Sequence, residues 1–245
     1  MTSESDHPPI SCIIPVRDGA RYIGETVASL AGQSLAPAEI IIVDDGSADD
    51  SAAIAAAAGG ELVRIIRQPP QGFDAARNTG MAAASGELLH FFDADDLAPP
   101  GVYRAMAEAL RENPAWDGVF GRWENFWIEE LAREAESPQQ AHLRGVERML
   151  KLTAGLFRKG LAESNGPFTR DHAFNADILW VHNAVSAGAR FGRIEKLTLR
   201  RRIHRHNLSR RKSNDDLANL VFSLYRRQKA RRAEGSEAPT PDKER

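Results

Sequence analysis

An apolar run stops abruptly at a cluster of carboxylates between Leu88 and Asp96, where Leu-Leu-His-Phe-Phe is followed by Asp-Ala-Asp-Asp. Like charges packed this closely repel one another and lose hydration when buried, unless a cation or a hydrogen-bonding ligand compensates. Because the cluster offers only oxygen ligands, it favours a hard divalent ion, Mg²⁺ or Mn²⁺, over zinc. An Asp-rich turn after a strand is the alternative explanation, so the neighbouring segments must decide between the two.

Two other predicted strand ends carry polar side chains that could meet this cluster. One contains Pro15, Arg17 and Asp18, and the other begins with Asp44 and Asp45. In an open parallel sheet, ligands bind at the carboxyl ends of the strands, near the point where strand order reverses. Neither Gly-x-x-x-x-Gly-Lys nor a Gly-x-Gly-x-x-Gly after the first strand occurs. A bound nucleotide would therefore be held by carboxylates, a metal and basic side chains.

The first half of the chain alternates between strand-like and helix-like segments. Short apolar runs predict buried strands at 10–16, 39–43, 62–66 and 88–92. Helical spacing predicts a helix after the first strand, with one face formed by Ile23, Val27, Leu30 and Ser34. Further helices are predicted at 49–58, 74–84 and 99–113. This alternation predicts an α/β fold with a doubly wound, mostly parallel sheet flanked by helices.

The second half is predicted to be smaller and mixed. Strands are expected at 118–126 and 191–203, and a helix at 138–152. A further helix, ending near Gly188, is expected from the spacing of five apolar residues, Phe174, Ile178, Leu179, Val181 and Val185.

Length and composition fit one enzyme-sized α/β domain, since the chain has 245 residues and one cysteine, Cys12. Cys12 lies in a strand-like run, so we expect a buried thiol in a reducing compartment. No apolar stretch reaches the roughly 20 residues of a membrane span, and residues 1–9 lack the apolar core of a signal peptide. These features favour a cytoplasmic protein.

The net charge of -2 hides a basic C-terminal end. Residues 200–245 contain 14 Lys and Arg against 6 Asp and Glu, a net charge of +8. Such a segment could meet the phosphates of a nucleotide, a lipid head group or nucleic acid, or it could be solvated. Its apolar stripe, Leu217, Leu220, Val221 and Leu224, predicts an amphipathic helix that either contacts the inner membrane face peripherally or packs on the catalytic domain.

Five ordered segments resemble the nucleotide-sugar-binding half of the family 2 glycosyltransferases, which have the GT-A fold. They are Ile-Pro-Val-Arg-Asp-Gly at 14–19, Ile-Ile-Val-Asp-Asp-Gly-Ser at 41–47, Ala-Ala-Arg-Asn-Thr-Gly at 75–80, Ser-Gly-Glu at 85–87 and Phe-Phe-Asp-Ala-Asp-Asp at 91–96. The ordered set is far more specific than any one segment. The resemblance implies a metal-dependent, inverting transferase that uses Mn²⁺ or Mg²⁺ and moves a sugar from a nucleotide-diphosphate donor, a UDP-sugar by family habit, to an acceptor hydroxyl.

Matched residue by residue, the resemblance implies roles on the side of the nucleotide base. Asp44 would accept a hydrogen bond from the base, and Asp45 would support that loop. Arg77 would pack near the base, with an ion pair to Asp74 or Glu87 as the alternative. The remaining members of this group are Gly72, which would let the backbone approach the ligand, and Pro15, Arg17 and Asp18.

The same matching places the diphosphate and metal at the fourth strand end. Asp93 would face the ribose and metal-bound water, and Asp95 would bind the metal that bridges the diphosphate. Ala94 lies between them, while Asp96 would meet the donor sugar or cap the following turn. His90, inside the apolar run, is expected to be a hydrogen-bonded core imidazole.

The acceptor side of the resemblance departs from the family pattern. The family's catalytic helix often begins with a Glu-Asp pair, where this chain has Ala176-Asp177. Asp177 is therefore the predicted base that deprotonates the acceptor hydroxyl. Asp171 is the reserve candidate, and His172 could assist either of them.

The segment from Arg200 to Ser209 resembles the family's closing motif on the loop over the donor. Growing negative charge on a departing diphosphate would be stabilised by guanidinium groups. Arg202 and His204 are the predicted participants, His204 also as a metal ligand.

The sequence leaves other functions open. Ala176 favours a nucleotide-sugar-binding protein that has lost turnover. Nucleic-acid binding is not favoured, since the Arg-rich stretch lacks interleaved aromatic residues. A phosphatase with Asp93 as nucleophile usually continues Asp-x-Asp with Thr or Val, whereas Asp96 stands here, and Asp44-Asp45 would be unexplained.

The predicted organisation has four parts. A flexible N-terminus, 1–9, precedes a GT-A catalytic domain at 10–212, divided into a nucleotide-binding half, 10–98, and an acceptor half, 99–212. An amphipathic basic helix, 213–232, and a disordered tail, 233–245, follow. The expected partners are a nucleotide-sugar donor and a glycan, lipid-linked or small-molecule acceptor, with a role in glycan or cell-envelope polysaccharide biosynthesis.

Overall fold

A computed structural model describes residues 7–137, 146–147, 150–169 and 176–207. Within these ranges eight strands form one sheet: β1 Ile10–Val16, β2 Glu39–Asp44, β3 Val63–Arg67, β4 Leu88–Phe91, β5 Gly118–Trp127, β6 Val146–Glu147, β7 Gly155–Arg158 and β8 Phe191–Ile203. The helices of the same ranges are α1 Ala20–Ala31, α2 Ser51–Gly59, α3 Phe73–Ala83, α4 Val102–Glu112, α5 Ala132–Ala135, α6 Lys159–Asn165 and α7 Ala176–Ser186.

The order of the strands brings several carboxyl ends to one edge of the sheet. The order is β3-β2-β1-β4-β7-β5-β6, and β8 pairs with β5. Strands β1 to β4 run parallel, β7 is antiparallel to both β4 and β5, and β8 is parallel to β5. Strands β5 and β8 consequently point the same way as β4. The end of β8, far along the chain, therefore meets the ends of β1, β2 and β4.

The sheet is covered on both faces, as the apolar composition of its strands predicts. Residues 40–43 of β2 are completely buried, which is typical of parallel strands that pack helices on each side. Alternate residues of β1 point to opposite faces: Ile14 packs in a core with α1, α2 and α4, and Ile13 packs in a second core with α3, α6 and α7.

Most predicted elements are confirmed, with four corrections. The expected helix at 138–152 is wrong where the chain is described, because 146–147 is a strand and 152–154 is a 3-10 turn. Ser34 lies beyond the end of α1 and is exposed. Ile178 and Val185 lie on the solvent side of α7, with 41% and 51% of their surface exposed. Helix α6 was not predicted, because its seven residues are too few to show a clear apolar period.

Some predictions concern residues outside the described ranges. They are the termini, 1–6 and 208–245, with the predicted basic helix and tail, and the residues Asp171, His172 and Phe174. Among the described residues, no helix has the length and apolar character that a membrane crossing requires.

A small polar group lies inside the core, as expected for His90. The imidazole is completely buried, with Nδ1 3.0 Å from the Tyr103 hydroxyl and Nε2 3.2 Å from the carbonyl of Thr153. Burial lowers the pKa of His90 to about 4, although the Thr153 carbonyl opposes the shift. Burial also raises the pKa of the Cys12 thiol to about 12, so Cys12 is an inert core residue.

His90 is expected to make folding stability depend on pH. Since its pKa is about 4 in the folded protein and ordinarily 6.5, its contribution is complete above pH 6.5 and lost as pH falls through 4. We expect the stability difference between the native protein and His90→Gln to shrink by roughly 3 kcal/mol between pH 7 and pH 4. Urea unfolding of both proteins at each pH measures this difference. A constant difference would contradict the buried neutral imidazole.

Candidate active site

The loops that follow β1 and β2 are joined by hydrogen bonds at the carboxyl edge of the sheet. Asp18 accepts a hydrogen bond from the Ala48 backbone at 2.8 Å, and its own N–H donates to Ser47 Oγ at 3.1 Å. Asp18 has a φ of 52°, a conformation that Asp tolerates better than most residues. The two loops therefore form one wall of a site.

Asp44 and Asp45 are both buried but have different surroundings. Asp44 accepts from the Ser47 backbone at 2.8 Å, and its other oxygen lies 3.8 Å from the Arg67 guanidinium. Asp45 uses both oxygens to hold residues 68–72, because it accepts from Gln68 Nε2 and from the backbone N–H groups of Gln71 and Gly72 at 2.7–2.8 Å. Asp45 thus fixes the loop of residues 68–72, and Asp44 lines the wall beside it.

Substituting Asp45 by asparagine is expected to destabilise this wall. The asparagine side chain has an NH₂ group in place of one carboxylate oxygen. This group must face at least one of the three N–H donors that Asp45 binds, so a buried hydrogen bond becomes a repulsive contact between two donors. We expect the free energy of unfolding to fall by about 2–3 kcal/mol, measured by urea unfolding. Asp50→Asn is the matched control, since Asp50 is exposed and makes no side-chain cap bond. An equal effect of both substitutions would contradict this role.

Arg77 pairs with the first carboxylate of the cluster after β4. Its Nη2 lies 3.2 Å from Asp93 Oδ1, and its Nη1 lies 4.0 Å from Asp74. Its guanidinium also lies 4.2 Å from the centre of the Phe73 ring. With 4% of its surface exposed, Arg77 joins α3 to the end of β4 and brings positive charge to the predicted diphosphate side.

Asp95 joins the end of β4 to the turn after β8. His204 Nε2 lies 2.7 Å from Asp95 Oδ2, and Asn207 Nδ2 donates to the same oxygen at 3.2 Å. Asn207 also binds the backbone of its own turn, donating to the Arg202 carbonyl and accepting from the His204 N–H. The predicted metal ligands Asp95 and His204 are therefore brought into direct contact across 109 residues of sequence.

Asp96 is the buried member of the cluster, with 1% of its surface exposed. It accepts a hydrogen bond from the Arg202 backbone at 2.9 Å, and its other oxygen has no hydrogen-bond partner among the residues that the structure describes. Burial raises the pKa of Asp96 well above its usual range, and the charges of Asp95 and Asp93 add to this effect. Asp96 thus connects the segment after β4 to β8, and its observed bond is not to the following turn that it was predicted to cap. The predicted contact with the donor sugar stays a prediction.

Arg202 connects the segment after β4 to α1 and β5. Its guanidinium lies between the rings of Tyr22 and Phe126, at 4.7 and 4.9 Å from their centres. It donates to the Asp95 carbonyl at 2.9 Å and to the Glu25 carboxylate at 2.7 Å. Since only 6% of its surface is exposed, the predicted contact with a diphosphate would require Arg202 to leave these partners.

Sequence reasoning missed the contribution of α1 to the site. Thr26 Oγ1 lies 3.0 Å from the Ala94 carbonyl and 2.8 Å from the Asp96 carbonyl. Tyr22, one turn earlier, packs against His204 with ring centres 4.7 Å apart. The polar Tyr-x-x-x-Thr spacing on an otherwise apolar helix face was the available signal, because residues i and i+4 share a face.

The first turn of α7 carries the residues predicted for the acceptor side. Asp177 lies in that turn and is partly buried, while the preceding Ala176 is buried. The predicted role of Asp177 as the base stays a prediction. Ala176 packs into the core beside Trp180 and cannot replace the missing acid.

Two of the predicted metal ligands are in direct contact at the carboxyl edge of the sheet, where Asp95 Oδ2 and His204 Nε2 lie 2.7 Å apart. Within the described ranges, however, no three His, Cys, Asp or Glu side chains are grouped so that they could hold a metal ion by themselves. Mg²⁺ is usually bound by one or two carboxylates together with substrate phosphates and water. Asp95 and His204 would each supply one ligand to such a shared site, whereas the Asp93 carboxylate is paired with Arg77.

Comparison with solved structures defines the class of fold. Staphylococcus aureus TarS in complex with UDP-GlcNAc matches with a TM-score of 0.67 at 19% identity, over 84% of this chain and 61% of that chain. TarS 1-349 in complex with UDP matches with a TM-score of 0.64 at 20% identity, over 80% and 60%. At these identities the likeness establishes the fold alone, which is the GT-A fold of TarS.

The family follows from sequence. The family described as Glycosyl transferase family 2 matches residues 11–163, and the chain belongs to this family. Haloferax volcanii glycosyltransferase AglE is 30% identical over 192 residues, which cover 74% of this chain and 62% of AglE. The uncharacterized glycosyltransferase EpsJ of Bacillus subtilis is 36% identical over 108 residues, which cover 43% of this chain and 31% of EpsJ. The matched region thus spans less than two thirds of either relative.

Proposed function

We propose that the chain is a metal-dependent, inverting glycosyltransferase that moves a sugar from a UDP-sugar to an acceptor hydroxyl. One observation carries the proposal: the carboxylates of Asp44, Asp93 and Asp95 gather at one edge of the sheet, with Arg77 and His204 beside them. Carboxylates at strand ends, with the Arg77 guanidinium paired to Asp93, suit a diphosphate and a divalent ion. Membership of family 2 and the nucleotide complexes of TarS support the same donor class.

The proposed reaction is a single displacement. Asp177 accepts the proton of the acceptor hydroxyl, the oxygen forms a bond to the anomeric carbon, and the bond from that carbon to the diphosphate breaks with its electron pair leaving on UDP. Arg77 and Asp93 orient the nucleotide side, and Asp44 binds the base. Asp95, Asp93 and His204 would hold the metal, which offsets the charge of the departing diphosphate when bound.

Donor turnover tests the proposal. UDP-GlcNAc and other nucleotide sugars are incubated with the full chain, Mn²⁺ and a panel of glycan, lipid-linked and small-molecule acceptors, and released UDP is measured. We expect turnover that EDTA abolishes and Mn²⁺ restores. Failure of every donor to bind, with or without metal, would overturn the proposal.

A second candidate function rests on Ala176. If the carboxylate missing at this position is required together with Asp177, the chain binds nucleotide sugars without turning them over. Calorimetric binding of UDP combined with no UDP release from any donor and acceptor would favour this binding function over the transferase.

The acceptor and cellular setting are proposed from the family alone. We propose a glycan or lipid-linked acceptor in polysaccharide biosynthesis at the cytoplasmic side of a membrane. Co-sedimentation with anionic liposomes tests the membrane contact, comparing the full chain with a chain that ends at Ser213. Equal binding of the two would exclude the basic segment as the membrane contact.

A further inference from the structure

Asn78 in α3 grips the backbone of Phe168 with both ends of its side-chain amide. Its Nδ2 donates to the Phe168 carbonyl at 2.9 Å, and its Oδ1 accepts from the Phe168 N–H at 2.8 Å. Two opposed hydrogen bonds hold one residue as a strand partner would. The helix that carries Arg77 is therefore tied to a turn 90 residues later in the chain.

The ring of Phe168 in turn packs against α7. Phe168 has 3% of its surface exposed and stacks on Trp180, with ring centres 5.3 Å apart and planes 20° apart. Trp180 Nε1 donates to the Gly166 carbonyl at 3.0 Å. Trp180 comes three residues after Asp177, so the two occupy adjacent positions on the helix surface. Fixing Trp180 fixes the turn that carries Asp177.

The ring of Phe168 also contacts residues of β4 and α3 on the predicted donor side. Phe168 meets the Phe91 ring edge-on at 5.1 Å, and Phe91 ends β4 two residues before Asp93. The Arg77 guanidinium, which is paired with Asp93, lies 5.4 Å from the centre of the Phe168 ring. Phe168 thus contacts both the segment leading to the carboxylates and the helix of the proposed base.

We propose that Asn78 is a positioning residue that, through Phe168 and Trp180, sets the placement of Asp177 relative to the donor-side carboxylates. The catalytic meaning of this inference rests on the proposed function, because it requires Asp177 to act on an acceptor beside the donor. The rate of such a substitution reaction depends on the position of the base, since moving a catalytic group by about 1 Å can lower the rate about 100-fold.

Hydrogen exchange tests the linkage without knowledge of the acceptor. In full-length Asn78→Ala, we expect backbone amides of 176–181 to exchange at least about tenfold faster, because the turn that holds α7 is released. Calorimetric titration of UDP should give an unchanged Kd. Asn113→Ala is the matched control, since Asn113 makes one side-chain bond to Ala109 at the end of α4, and it should leave exchange in 176–181 unaltered.

A second variant guards against a simple loss of folding. Phe168→Leu keeps the backbone groups that Asn78 binds but removes the phenyl ring that stacks on Trp180. It should therefore also speed backbone amide exchange in 176–181. For both variants we expect the kcat of UDP release from UDP-GlcNAc to fall about tenfold or more, while the KM for the donor stays unchanged. Unchanged exchange in both variants, or an equal loss of UDP binding in both, would overturn the inference.

The outcomes separate this inference from the proposed function. If the native protein neither binds UDP nor turns over a donor, the proposed function fails, while the exchange result still decides whether Asn78 holds α7. If the native protein is active and Asn78→Ala behaves as native in exchange and kcat, the inference alone fails.

Discussion

Replacing Asp95 by asparagine is expected to lower UDP release from the donor by about 100-fold or more. The substitution removes a carboxylate that contacts both His204 and Asn207 and that we propose as a ligand of the metal. An amide is a weaker ligand for Mn²⁺ or Mg²⁺, and loss of a metal contact removes several kcal/mol of charge stabilisation. Turnover at saturating donor and a series of Mn²⁺ concentrations measures the effect.

The Asp50→Asn variant controls for the loss of one acidic side chain. Asp50 is exposed at the start of α2, so this variant should retain native turnover and native dependence on Mn²⁺. Higher Mn²⁺ should partly restore Asp95→Asn if the defect lies in metal affinity. Native turnover of Asp95→Asn at low Mn²⁺ would refute a metal-binding role for Asp95.

Replacing Asp177 by asparagine is expected to lower kcat by about 100-fold to 10,000-fold, because an amide cannot take the proton of the acceptor hydroxyl. The donor Kd should stay unchanged, because the proposed role of Asp177 is to bind the acceptor hydroxyl and not the nucleotide. Single-turnover transfer and UDP calorimetry measure the two effects separately. This separation identifies a base more clearly than loss of activity alone.

Asp171→Asn discriminates between the two predicted carboxylates. If Asp177 is the base, Asp171→Asn should retain most of the native kcat. If Asp177 only stabilises the start of α7, Asp177→Asn should turn over almost as fast as the native protein, and its effect should appear in thermal stability instead. A large loss in Asp171→Asn alone would move the base to Asp171.

Local patterns were sufficient to predict the parallel half of the fold. The apolar runs of β1, β2 and β4 are short, continuous and followed by polar turns, so their number and their bounds along the chain could be predicted. The parallel ends of β2 and β4 place Asp44 and the Asp93–Asp96 cluster at one edge of the sheet. The segment 146–147 was mispredicted as helix because its pairing with β5 is a tertiary contact that sequence spacing does not encode.

The long-range partners of site residues could not be predicted in this way. Arg202 was predicted to face a diphosphate from its residue type, but its neighbours Tyr22, Glu25 and Phe126 come from two distant elements. Asp96 was ambiguous for the same reason, since its partner is the backbone of a strand 106 residues away. Such contacts depend on β8 running parallel to β4, which no local pattern fixes.

Titration of UDP into the full chain tests the central claim most directly. The claim is that the carboxyl edge of the sheet is a nucleotide-diphosphate site built on Asp44 and the Asp93–Asp95 cluster. With Mn²⁺ present, calorimetry should show one UDP bound per chain, with affinity reduced by EDTA, reduced in Asp44→Asn and unchanged in Asp50→Asn. Absence of UDP binding by the native protein, or binding unaffected by Asp44→Asn and by EDTA alike, would contradict it.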